Sequence, residues 1–214
     1  MGNSPQELYD LAMPLYEESR YVEAIDLFKE AADQGHLPSA EKLANCYNRS
    51  GSSELAVPYW EICRKANNHS ANTNYAGYLK EFSDKQDLAK ELWRNAADAG
   101  ISQAAFNLGV WLKNSDQVEE GKTYLKKSGD LGYLDGYFVL AGIYYRAEEW
   151  NQAKEALAPL IEDEDPRAET MMAAIDQKLN VFDRPVVNHY ERINKKSGIH
   201  NEEGDSKTAG IDWI

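Results

Sequence analysis

The chain has 214 residues, 43% of them hydrophobic, and a formal charge of −13 from 36 acids against 23 Lys and Arg. That is length enough to bury a core, and the charge argues against nonspecific binding to nucleic acid, which Lys and Arg drive by releasing counterions. Nowhere do eighteen apolar residues run together, and the opening MGNSPQELYDLAMP has neither a basic start nor an apolar run; we expect no membrane span, no secretory leader and a cytoplasmic location.

Ser4-Pro5-Gln6-Glu7 reads as a capping box with proline at the first helical position. The helix it starts carries the pair Leu11-Ala12, and Pro14 inside it predicts a kink rather than a break. A second helix follows, with Ala24, Phe28 and Ala31 at offsets of four and seven, one face of a helix. It stops at Gly35, where a left-handed residue is expected.

The same order then recurs. Leu43-Ala44 is followed by Ala56, Trp60, Cys63 and Asn67, with Pro58 expected in the first turn of its helix. Tyr75-Ala76 is followed by Ala89, Trp93, Ala96 and Gly100, with one extra residue near FSDK, 82–85. Leu108-Gly109 is followed by Gly121, Leu125, Ser128 and Gly132, and Asp116-x-x-Glu119 resembles a capping box. Leu140-Ala141 is followed by Ala153, Leu157 and Leu160, with Pro159 inside the helix and Glu164 in the glycine position. Asp165-Pro166 starts a last helix, 166–180, whose Asp176 replaces the buried Leu or Tyr of earlier units and marks a polar cap.

A period of 32 to 33 residues with two helices per unit is the signature of an α-solenoid, each pair burying its face only against neighbours. These columns resemble the tetratricopeptide repeat, and EAADQG followed by LANCY resembles its Sel-one-like relative. The unit is shorter than usual for either family and lacks the aromatic early in helix A. The expected fold is all-α: an α-α superhelix, a right-handed solenoid of about five helix-turn-helix repeats plus a C-terminal capping helix. Residues 1–180 form the solenoid, and 181–214 a largely irregular tail, one apolar end of which we expect to dock on it.

No constellation of catalytic residues is present. His36 and His69 sit at helix boundaries without a Ser or Cys at a recognisable spacing, and no phosphate-loop or nucleophile-elbow motif occurs. Cys46 and Cys63 lack metal-ligand spacing and are expected to be reduced core residues, as Trp60 and Trp93 are expected to be core. We therefore expect no enzyme, no cofactor and no metal.

In the families resembled, helices A line a concave groove, and the resemblance implies which residues face it. They are Tyr9, Met13, Tyr16 and Glu17; Glu41, Asn45, Asn48 and Arg49; Thr73, Gly77, Lys80 and Glu81; Phe106, Val110, Lys113 and Asn114; Phe138, Gly142, Tyr145 and Arg146. The alternative for Phe106 and Phe138 is cover by neighbouring helices or the tail. Asn45 and Asn74 fall where a peptide-carboxylate clamp has its asparagines, but Glu41, Gln103 and Asn107 stand where it has cations. Gripping of an extended peptide backbone by Asn45, Asn74 and Asn107 is the more plausible use. The expected function is a non-enzymatic adaptor or scaffold, monomeric, that binds a protein or peptide and neither nucleic acid nor membrane. Two alternatives are an acidic immunity-type inhibitor of a basic partner and a secretion chaperone for a client protein.

Overall fold

The computed structural model describes residues 2–179, which form eleven helices and no strand. In chain order they are α1 (Pro5–Glu17), α2 (Tyr21–Asp33), α3 (Leu37–Arg49), α4 (Ser53–Lys65), α5 (His69–Phe82), α6 (Gln86–Asp98), α7 (Ser102–Asn114), α8 (Val118–Asp130), α9 (Asp135–Arg146), α10 (Trp150–Glu162) and α11 (Pro166–Leu179). Successive pairs are the repeats, and α11 is the last helix among the described residues. The expected docking of residues 181–214 lies outside the described residues.

Local chemistry sets most boundaries. Ser4 Oγ accepts from the Glu7 amide at 3.3 Å while the Glu7 carboxylate accepts from the Ser4 amide at 2.7 Å, a reciprocal cap. Asp165 accepts from the Arg167 amide at 2.8 Å and starts α11. Two expectations are corrected. Asp116 caps nothing: it turns left-handed at φ 59°, Gln117 takes the cap position, and no side chain bonds the start of α8. Pro58 lies in the interior of α4 rather than in its first turn; an exposed position lets the unpaired carbonyl one turn back meet water.

Every turn from one repeat to the next passes through a left-handed residue: Gly35, Asn67, Gly100, Gly132 and Glu164. The geometry thus persists at Glu164, where the glycine pattern lapses. Within repeats the turns use Ser19, Gly51, Asp116 and Glu148 in the same way, but repeat three does not. There α5 runs one residue longer and Ser83 leaves it extended, at φ −141° and ψ 159°, which places the extra residue at FSDK as expected.

Contacts divide the chain into a unit ending at Tyr133 and a second beginning at Leu134. In the first, each helix packs on the next, and α1, α3, α5 and α7 also touch one another in succession, more closely than α2, α4, α6 and α8 do. Helices α1, α3, α5 and α7 therefore form the inner wall of this unit. Its core is the set of repeat columns: Ala12, Ala24, Phe28 and Leu43 in one cluster, and Trp60, Cys63, Tyr75, Trp93 and Leu108 in another. Leu11 belongs to the Leu43 column but is 54% exposed.

Small residues set the closest approach. A methyl on Gly121 would meet the Lys113 amide nitrogen at 2.9 Å and the Gly109 carbonyl at 3.0 Å; only two glycines let α7 and α8 pack this tightly. Two buried polar groups are bonded across helices: Tyr75 donates to Glu61 at 2.7 Å, and the Trp93 indole to the Thr73 carbonyl at 3.0 Å. Cys46 and Cys63 are fully buried free thiols, and burial pushes their pKa values up to about 12 and about 11. As expected they are core residues.

The second unit contains α9, α10 and α11. Ala153, Leu157 and Leu160 form its buried stripe, joined by Met171 and Ile175 of α11. Asp176 does stand in the position of an apolar column, and it pairs with Lys154 of α10, both side chains largely shielded.

Candidate functional site

The inner wall of the first unit holds an open cleft of about 380 Å³ between α3, α5 and α7. Asn48 stands at one side, Phe106, Asn107 and Val110 at the other, and Asn74, Gly77, Lys80 and Glu81 between them. Of these, Asn48, Gly77, Lys80, Glu81, Phe106 and Val110 belong to the groove stripe, and Asn74 and Asn107 to the amide set. Side chains on consecutive inner helices, spaced three or four along each, can meet one cavity only if the repeats stack in phase.

Within this wall the amides are linked. Asn74 Nδ2 donates to Asn45 Oδ1 at 2.8 Å, joining α5 to α3, and Gln103 Nε2 donates to Asn107 Oδ1 at 3.1 Å. The bond leaves Asn45 with its amide protons and Asn74 with its carbonyl oxygen. Glu41, where a clamp has a cation, accepts from Asn68 at 2.7 Å and Ser70 at 3.3 Å. Since Asn68 also caps α5 through the Ala71 amide at 3.0 Å, Glu41 ties one repeat to the start of the next.

The remaining stripe residues divide between cleft and packing. Tyr9 and Tyr16 are half-buried against Phe28, at ring distances of 5.7 and 6.1 Å, and Lys42 lies 5.2 Å from the Tyr16 centroid. Arg49 spreads over Tyr21 at 5.5 Å. Asn48, besides lining the cleft, accepts from Ser53 at 2.8 Å. Phe106 is half-buried, its ring edge-on to Tyr133 at 5.0 Å, and still faces the cleft. Lys113 is half-buried at the end of α7.

In the second unit the picture differs. Phe138 is only 7% exposed, with the Arg167 guanidinium 4.8 Å above its ring. Arg167 is held there by Asp135 at 2.8 Å and Asp165 at 2.7 Å, and its hydrogen bonds are the largest cause lowering the Asp165 pKa. Phe138 is thus covered by a neighbouring helix rather than displayed. Tyr145 packs edge-on against Trp150 at 5.3 Å, and Arg146 is exposed.

Three lining residues belong neither to the stripe nor to the amide set: Tyr78, Phe82 and Trp93. Trp93 is core, as expected, yet its edge closes the cleft floor. Phe82 had a signal in the sequence. Seven residues after the Leu or Tyr of the first column the other complete repeats carry Glu18, Ser50, Ser115 and Ala147, each the helix C-cap; only repeat three, with its inserted residue, puts an aromatic ring there.

Among the described residues no group of His, Cys, Asp and Glu is arranged to hold a metal, and no helix is long and apolar enough to cross a membrane.

No protein-family model matches the sequence, and no curated protein matches it significantly. Solved structures do match in fold. A Sel1 repeat protein from Oxalobacter formigenes aligns with a TM-score of 0.68 at 16% identity, covering 91% of this chain and 89% of that one. The pilF protein of Pseudomonas aeruginosa aligns at 0.70 and 16%, covering 90% and 91%. A tetratricopeptide-repeat protein from Cytophaga hutchinsonii aligns at 0.66 and 17%, covering 89% and 79%. The chain therefore has the all-α helical-repeat fold that these Sel1-like and tetratricopeptide proteins share.

Proposed function

We propose that the protein is a non-enzymatic interaction module whose inner wall takes an extended peptide or protein segment. Helical-repeat arrays present a continuous curved surface, and the solved neighbours with this fold point to a protein-binding role. The observation that carries the reading is the composition of the cleft between α3, α5 and α7. It pairs side-chain amides, which match peptide N–H and C=O groups, with the apolar faces of Phe106 and Val110, which hold a side chain. Its charge is balanced, Lys80 beside Glu81, so binding there does not need a strongly charged guest.

The test is selection of a displayed random 12-residue peptide library on the full chain, followed by affinity measurements with selected peptides. Substitution of Asn74 and Asn107 by alanine is expected to weaken them at least tenfold without loss of helicity. Peptides that bind both forms equally would remove the inner wall from the account.

A further inference from the structure

We infer a second subsite next to the inner cleft, built on Phe82 at the rim of the array, that takes an apolar anchor residue followed by a basic one in the bound segment. The inference rests on the inner-wall reading above and extends it to the sequence of the guest.

Six large apolar side chains are exposed among the described residues, and two of them, Phe82 at 64% and Leu55 at 56%, line one cavity of about 400 Å³. That volume is in the range of ordinary ligand sites. The cavity lies where the end of α5 meets the start of α4, with Tyr78 as its inner side. Tyr78 and Phe82 also line the inner cleft, so the two hollows are separated only by these two rings, 5.4 Å apart. An extended chain leaving the inner cleft crosses Phe82 and enters the second hollow.

Positions equivalent to Phe82 are exposed in every complete repeat; in repeat three, with its inserted residue, that position carries an aromatic ring. Position 82 is a cap of small or polar type in the other complete repeats, whereas in repeat three the helix continues through it and the turn begins at Ser83. Anchorage comes from behind: Phe82 leans on Tyr78, and Tyr78 on the buried Trp60 at 5.5 Å. A ring fixed by such a ladder loses little further freedom on contact, which is what makes exposed aromatics effective in binding.

Charge selects the guest's neighbouring residue. Glu54 is the one ionised side chain lining the second hollow, on the first turn of α4. Its carboxylate repels an acidic guest from that helix end and attracts Lys or Arg. The net charge of −13 adds a long-range pull of the same sign.

The same 12-residue library, selected on the full chain, tests this separately. The expected outcome is enrichment of an aromatic or branched aliphatic residue with Lys or Arg within three positions. Phe82→Ala should then weaken a selected peptide at least tenfold, and Glu54→Lys about fivefold at low salt and less at high salt. Both positions are exposed, and an unchanged thermal melt confirms folding. Peptides that depend on Asn74 and Asn107 but tolerate Phe82→Ala would overturn this inference and leave the inner-wall reading standing. Peptides indifferent to all of these changes, or none selected, would overturn both. Two further outcomes count against it: a dimer that Phe82→Ala dissociates, which gives the face to a second copy, and tighter peptide binding by the full chain carrying Trp213→Ala, which gives it to the chain's own C-terminal segment.

Discussion

Asn74 donates a hydrogen bond to Asn45 across 2.8 Å, tying the inner helices of two successive repeats. Asn74 is exposed and Asn45 half-buried, so the bond contributes little to folding and orients the two amides. Replacing both with alanine should change the urea midpoint by an amount worth less than about 0.5 kcal/mol. Peptide affinity should fall about tenfold, from hydrogen bonds worth roughly 1 kcal/mol each. Urea titration and peptide titration of the same variant make the comparison. A large stability loss with unchanged affinity would show the pair to be purely structural.

Gly121 and Gly77 are both helical glycines with opposite expectations. Gly121→Ala drives a methyl against backbone atoms of Lys113 and Gly109, and should cost about 1–3 kcal/mol. At Gly77 a methyl would have open space, with no neighbouring atom within 4 Å of it, so Gly77→Ala should gain roughly 0.5–1 kcal/mol from helix propensity. It also puts a methyl into the cleft, and peptide affinity should change without any loss of stability. Calorimetric melting distinguishes the two.

Glu164 holds a left-handed conformation at φ 58° in the position that Gly35, Gly100 and Gly132 occupy elsewhere. Glu164→Gly should stabilise the fold by about 1 kcal/mol, the strain an L-residue bears there. Gly132→Ala should destabilise it by a similar amount. A lower melting temperature for Glu164→Gly would contradict the strain argument.

Glu61 gives the fold an acid-sensitive element. Burial disfavours its charge, but hydrogen bonds from Arg64 and Tyr75 outweigh that and leave its pKa below the usual 4.5. A carboxylate depressed by folding contributes stability that is complete above the unfolded value and is lost as pH falls through the folded one. The gap in stability between wild type and Glu61→Gln should therefore be open at pH 7 and close as pH drops below about 4.5. For Tyr75, burial first and Glu61 second raise the phenol above its ordinary 10. Its contribution is complete below about pH 10 and fades as pH rises beyond it. Tyr75→Phe at neutral pH should cost about 1.5–3 kcal/mol, typical for a hydrogen bond to a charged partner. Urea midpoints measured from pH 3 to 11 would show both arms, and parallel curves would refute them.

Much of the fold is legible in the sequence because its signals are local and recur. The left-handed stops, the Ser4 cap, the small and bulky columns and the extra residue at 82–85 each depend on neighbours within a turn or two. Asp116 and Pro58 depart from expectation for a related reason: a capping pattern and a proline say where a helix could begin, and competing turn geometry decides where it does. Of the site, the stripe from Asn48 to Val110 is what the resemblance to helical-repeat families implies, and helical spacing agrees with it. Phe82 lies outside that spacing, and its only sequence signal is the insertion beside it.

By itself the sequence determined that this chain forms paired helices in a repeating array, since period and side-chain offset are properties of consecutive residues. Only the tertiary structure decided which inner residues remain open. Glu41 meets Asn68, Asn45 meets Asn74, and Arg167 covers Phe138. Each of these contacts joins residues almost a full repeat apart, and exposure on an inner wall depends on how neighbouring repeats stack. That stacking is set by contacts between repeats, such as the Trp93 ring of α6 edge-on to Trp111 of α7 at 5.6 Å, which a single repeat does not contain.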